Sequence, residues 1–164
     1  MIKFVDTLVT FSEVPDEVSL CINISNCPHK CPGCHSPYLQ EDIGEPLTNE
    51  RLDELIENNK GITCVCFMGG DTNIPNLMTL AQHTKRKFGL RTAWYSGLAF
   101  MPTMDRATSA VFDYIKVGPY REKYGPLTSR TTNQRFYAKG SVLKKMDANG
   151  HMFYDITDRF WKDD

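Results

Sequence analysis

The sequence lacks an excess of charge of either sign, a long apolar run, a second Cys-x-x-Cys pair and any internal repeat. Each absence excludes something. With 19 Lys and Arg against 20 Asp and Glu, the net charge of −1 gives no electrostatic footprint for nucleic acid or an anionic membrane. No stretch reaches the ~18 apolar residues of a membrane span. The residues after Met1 show no charged start, apolar centre or small-residue cleavage site, so cytoplasmic residence is the expectation. In that compartment six cysteines are expected as free thiols, metal ligands or catalytic groups rather than structural disulfides. What is present is an ordinary globular balance, 41% hydrophobic and 24% charged. That balance argues against disorder and for one domain over 1–164 with a core of its own.

Strand and helix patterns alternate along the chain. Residues 18–25 are partly alternating and β-branched, which predicts a strand. Thr48 is placed to cap a helix with Leu52, Leu55 and Ile56 on one face, ended near Gly61. Residues 62–68 read as a buried strand running into Gly69-Gly70-Asp71. A helix over 75–88 carries Leu77, Leu80, Ala81 and Phe88 as its apolar stripe, and Gly89 follows. Residues 91–95 and 112–117 predict two more strands, with a helix near 102–110 between them. The polar stretch 118–140 reads as a long loop, and 141–146 with 151–156 as a hairpin about Asp147-Ala-Asn-Gly150. Such alternation predicts βαβ units and a mostly parallel sheet. A closed eight-fold barrel typically takes about 250 residues. A partial barrel or an open α/β sheet is therefore expected, with its site at the carboxyl ends of the strands.

Three motifs fall at those ends, and the first carries metal chemistry. Cys27, Cys31 and Cys34 stand at i, i+4 and i+7, a helical spacing. Pro28, Pro32 and Gly33 forbid the helix, because a proline inside a turn removes an amide and clashes with the preceding turn. Three thiols on a stiff loop point to a metal. Structural zinc closes a tetrahedron with four protein ligands, and His29 or His35 would have to complete such a set. Three thiolates instead suit three irons of a [4Fe–4S] cluster, leaving the fourth iron open to a ligand. Gly69-Gly70-Asp71 offers close backbone approach and a carboxylate acceptor, and Ser96 in Tyr95-Ser96-Gly97 offers a polar contact.

Cys27-xxx-Cys31-xx-Cys34 resembles the signature of the radical S-adenosylmethionine superfamily. The resemblance implies an incomplete radical-SAM-type βα barrel with mostly parallel strands and a C-terminal hairpin. It also implies a [4Fe–4S] cluster on the three cysteines and S-adenosyl-L-methionine on its open iron, with Asp71 after Gly69 and Gly70 taking the amino group. Gly33, Cys34, His35 and Ser96 are the further cofactor contacts it suggests. The small size, Cys-Pro-Gly-Cys, Lys116-Val-Gly-Pro-Tyr120 and Thr131-Thr-Asn-Gln-Arg135 resemble the activating proteins of anaerobic ribonucleoside-triphosphate reductase. For that group the target is a glycine of the reductase large subunit, and a reduced flavodoxin-like protein is the expected electron donor. Thr72 stands where proline is common in the group. Arg130 and Arg135 are candidate partner contacts; Cys21, Cys64 and Cys66 read as core.

Two rival readings compete with this one. A small radical enzyme of the deazapurine-forming type would act on a free metabolite and need a substrate pocket of its own. A zinc-stabilised binding module would use the same cysteines without catalysis.

Overall fold

The computed structural model describes residues 1–99, 106–144 and 153–161. Its strands are β1 (Lys3–Thr10), β2 (Ser19–Ile24), β3 (Glu45–Pro46), β4 (Cys64–Met68), β5 (Arg91–Tyr95), β6 (Tyr114–Val117), β7 (Arg135–Lys139) and β8 (Phe153–Asp155). They form one sheet in the order β3-β1-β2-β4-β5-β6-β7-β8, which does not close on itself. The four middle strands, β2, β4, β5 and β6, run parallel, and antiparallel strands flank them on both sides. All four parallel strands therefore deliver their following loops to one end of the sheet.

Local chemistry starts both long helices as the sequence predicts and ends the second at Gly89, while the first stops at Glu57 with Asn58 as its cap, short of Gly61. In α1 (Asn49–Glu57) the Thr48 hydroxyl accepts the Arg51 N–H at 3.0 Å, and Leu52, Leu55 and Ile56 are buried. In α2 (Ile74–Phe88) the Asn73 side chain accepts the Asn76 N–H, Pro75 opens the first turn, and Gly89 ends the helix at φ 65°. Lys85, Arg86 and Lys87 in its last turn complement the carbonyl end of the helix. The next described helix is α3 (Arg106–Val111); the earlier part of the 102–110 segment expected as helix lies outside the described residues. No helix of the described residues is long and apolar enough to cross a membrane.

Period-two alternation along the strands makes two apolar layers. One joins Ile22, Phe67, Trp94 and Ile115 to Leu52, Leu77 and Leu80 of the helices. The other holds Cys21, Cys64, Cys66, Ala93, Tyr114 and Phe136, together with Val14 and Leu127. Cys21 and Cys66 are register partners on adjacent strands, and all three cysteines of this layer are buried and free.

Three expectations change. The stretch 118–140 is not loop throughout: residues 135–139 form β7, antiparallel to β6, because Phe136 and Ala138 point into the core. Residues 141–144 form a turn rather than a strand, and β8 pairs with β7. The turn expected at 147–150 lies outside the described residues. Finally, β1 is a strand the pattern reading passed over. It pairs antiparallel with β2 through a register shift between Phe4 and Asp6 that interrupts its alternation.

Candidate metal centre

The cysteine loop leaves β2 through Asn26, whose φ of 61° turns the chain sharply. Backbone bonds from Asn26 N–H to the Glu41 carbonyl and from Cys27 N–H to the Leu39 carbonyl, each 2.9 Å, tie the loop's two ends together. Inside it, Gly33 at φ 74° permits the turn in which Cys34 N–H reaches the Cys31 carbonyl at 3.1 Å. The Ser36 N–H then donates to Cys34 Sγ at 3.4 Å. Pro37 opens a short 3-10 turn that buries Leu39 and anchors the return. Cys27, Cys31 and Cys34 are free, half-buried, and all line one cleft of about 200 Å³. Partial burial and the nearby Asp71 carboxylate both push the Cys27 thiol up, burial more strongly.

Among the described residues no three His, Cys, Asp or Glu side chains gather as a single-ion site. A [4Fe–4S] cluster asks for a different arrangement, one thiolate on each of three irons around a space. Three free thiols on the wall of one cleft fit that donor set.

Opposite the cysteines stands Asp71, its side chain only 4% exposed. Ser96 Oγ donates to Asp71 Oδ1 at 2.9 Å, and the Gly97 N–H donates to Oδ2 at 2.9 Å. His29 Nε2 lies 2.5 Å from the same Oδ2 and joins the cysteine loop to the carboxylate. The two glycines before Asp71 are required for local reasons. Gly69 and Gly70 take φ of 120° and 98°, and a Cβ would come 3.2 Å from the Ile24 carbonyl or the Leu77 side chain. Trp94 Nε1 donates to the Gly69 carbonyl at 3.1 Å, which fixes this turn on the core.

The structure brings Cys27, Cys31, Cys34, Gly69, Asp71 and Ser96 to the cleft. Gly70 is buried behind it. Gly33 is exposed and faces Tyr120 and Glu122 on the outer side of the loop. His35 is exposed, 4.9 Å ring to ring from Tyr120, and lines an adjoining cleft of about 450 Å³. Neither arginine lines either cleft: Arg130 sits 5.7 Å from the Trp161 ring, and Arg135 pairs with Asp155 at 3.7 Å.

Two groups entered the sequence reading only as members of quoted motifs, with no role assigned. Lys116, on β6, lines both clefts while only 8% exposed. Its signal was present, a lysine inside an otherwise apolar strand, where a charge is expensive. Gln134 also lines both clefts and donates to the Gly118 carbonyl at 3.3 Å, while Asn133 donates to the Pro119 carbonyl at 3.0 Å. The Thr-Asn-Gln-Arg segment thus clamps the turn after β6.

The family model described as 4Fe–4S single cluster domain matches residues 18–137, from β2 through most of β7. The chain belongs to the 4Fe–4S single cluster domain family. Neither the curated proteins nor the solved structures give a match. Membership of the 4Fe–4S single cluster family supports an iron–sulfur cofactor and a function that depends on it. The matched span contains the cysteine loop, Asp71, Ser96, Lys116 and Gln134.

Proposed function

We propose that this protein is a radical S-adenosylmethionine activase that generates a glycyl radical on anaerobic ribonucleoside-triphosphate reductase. The observation that carries the reading is the pairing across one cleft of three free thiols with a carboxylate already oriented by Ser96 and Gly97. The cofactor chemistry is one-electron reduction of the sulfonium, giving methionine and a 5′-deoxyadenosyl radical.

The chain's own residues have three tasks. Cys27, Cys31 and Cys34 hold the cluster. Asp71 accepts the amino group of S-adenosylmethionine, and Ser96 Oγ and Gly97 N–H keep its two oxygens pointed at the cleft. His29 shares Asp71 Oδ2 at 2.5 Å, so the incoming ammonium meets a carboxylate whose position is already set. The larger adjoining cleft shares Cys34, Met68, Tyr95, Lys116, Tyr120 and Gln134 with the first and offers the route by which a partner's glycine reaches the reacting carbon. Hydrogen abstraction needs those atoms within about 3–3.5 Å. A sheet that does not close on itself suits a macromolecular substrate of this kind. The proposed partners are the reductase large subunit and a reduced flavodoxin-like donor in the cytoplasm.

The test mixes anaerobically reconstituted, reduced protein with S-adenosylmethionine and an anaerobic ribonucleotide reductase. A glycyl doublet by electron paramagnetic resonance, with 5′-deoxyadenosine and methionine formed together, is the expected result. Turnover of a small molecule with no glycyl signal overturns the activase reading. Stoichiometric zinc and no iron after reconstitution overturns the radical chemistry altogether.

A further inference from the structure

Lys116 is the most unusual side chain in the molecule. Its neighbours on β6, Tyr114, Ile115 and Val117, are buried and carry no charge, yet an amine stands among them. A buried ammonium costs several kcal/mol unless something compensates it. Its direct partners are neutral: Nζ donates to the Ser96 and Gly118 carbonyls, both at 3.0 Å, and sits 5.8 Å from the Tyr95 ring centroid. Among the described residues no carboxylate lies within ion-pair distance of it.

Compensation comes from across the cleft. Burial pulls Lys116 down to about 8, while Asp71 and then Cys31, Cys27 and Cys34 act in the opposite direction and hold its proton. At neutral pH it is therefore an ammonium. Two of its three N–H bonds are spent on carbonyls, and it lines the same cleft as the three thiols. The carbonyls it holds belong to the loops after β5 and β6, and one of them is that of Ser96, whose hydroxyl orients Asp71.

We infer that Lys116 is a positioning residue and fixed counter-charge for the cluster: its ammonium favours the more negative reduced state and fastens the Ser96 loop on which Asp71 depends. This rests on the reading of Cys27, Cys31 and Cys34 as cluster ligands. Reduction adds one electron to a site already bearing three thiolates, and a positive charge nearby offsets that gain. A unit charge lining the same cleft changes the ratio of reduced to oxidised centres on the order of tenfold. A merely structural lysine would stabilise the fold and leave that ratio alone.

The experiment uses the full chain, reconstituted anaerobically with iron and sulfide, as wild type, Lys116→Gln and Lys116→Arg. Iron and sulfide content is measured first, then the midpoint potential by dithionite titration followed by electron paramagnetic resonance, with no S-adenosylmethionine present. Glutamine keeps N–H donors on a side chain one atom shorter and carries no charge. The expected result is equal loading in all three, a more negative midpoint for Lys116→Gln, and a wild-type midpoint for Lys116→Arg. A loaded Lys116→Gln protein with the wild-type potential overturns the inference. If Lys116→Gln fails to fold, Lys116→Met supplies the uncharged comparison: a midpoint more negative than wild type supports the inference, and a wild-type midpoint overturns it. Absence of iron from the wild type would instead overturn the cluster reading, so the two failures are distinct.

Discussion

Six cysteines divide into two sets of three that the same sheet treats in opposite ways. Cys27, Cys31 and Cys34 lie past the carboxyl end of β2, half-buried on a loop whose prolines and Gly33 deny it helix. Cys21, Cys64 and Cys66 lie within β2 and β4, packed against Ala93, Tyr114 and Phe136. Burial pushes the thiols of Cys64 and Cys66 well above their ordinary range, so they stay protonated and behave as small apolar side chains. Residue type therefore says little about a cysteine; position relative to the sheet end says most of it.

The sharpest way to break this contrast is metal content. Cys31→Ala is expected to lose the cluster, leaving colourless protein with almost no iron, whereas Cys64→Ala stays brown and fully loaded after the same reconstitution. A folded Cys64→Ala protein without iron would erase the distinction. Thiol accessibility tests it without any metal. In the metal-free native protein, an aromatic disulfide reagent should modify Cys27, Cys31 and Cys34 on the order of 10² times faster than the sheet cysteines, which must wait for opening of the core. Peptide mapping after partial labelling assigns the sites.

A smaller effect follows from pH. The folded-state value of Lys116 is lowered to about 8 from 10.5. Between those values the unfolded chain binds more protons, so this group makes stability rise as pH rises through that window. The full difference is roughly 3 kcal/mol. The thiols of Cys64 and Cys66 have the opposite sign: raised in the fold, they withdraw stability as pH climbs above 9.0, where the unfolded thiols ionise. Urea titrations of the metal-free wild type and Lys116→Met should therefore diverge above pH 8, with the variant gaining no stability of its own in that range. Parallel curves would remove Lys116 from the argument. Smallest of all, Cys64→Ala should cost about 1 kcal/mol at neutral pH by urea titration, the scale of a small core truncation.

Much of this was legible in the residues. Thr48, Gly89 and the apolar spacing of α2 gave the helices, and the loop prolines singled out the three thiols that line one cleft. Asp71 and Ser96 were identifiable because each follows a buried parallel strand. The misses have physical causes. Strand β7 begins in a polar stretch, and only the cross-strand pairing of Phe136 and Ala138 with β6 and β8 reveals it. Lys116 was overlooked because apolar neighbours predict a strand without showing which carbonyls an amine could reach. His29 bonds Asp71 from 42 positions away, a contact that no local spacing encodes.

The cleft lies at one end of the parallel strands; the turns at 58–63 and 112–113 lie at the other. Five-residue strands put those two ends roughly 15 Å apart. Gly61 lies in one of these far turns, with no atom within 4 Å of where a side chain would begin. A short tag inserted at that turn gives the molecule a handle behind its working side. Held there on a bead or an electrode, the protein presents its cleft outward.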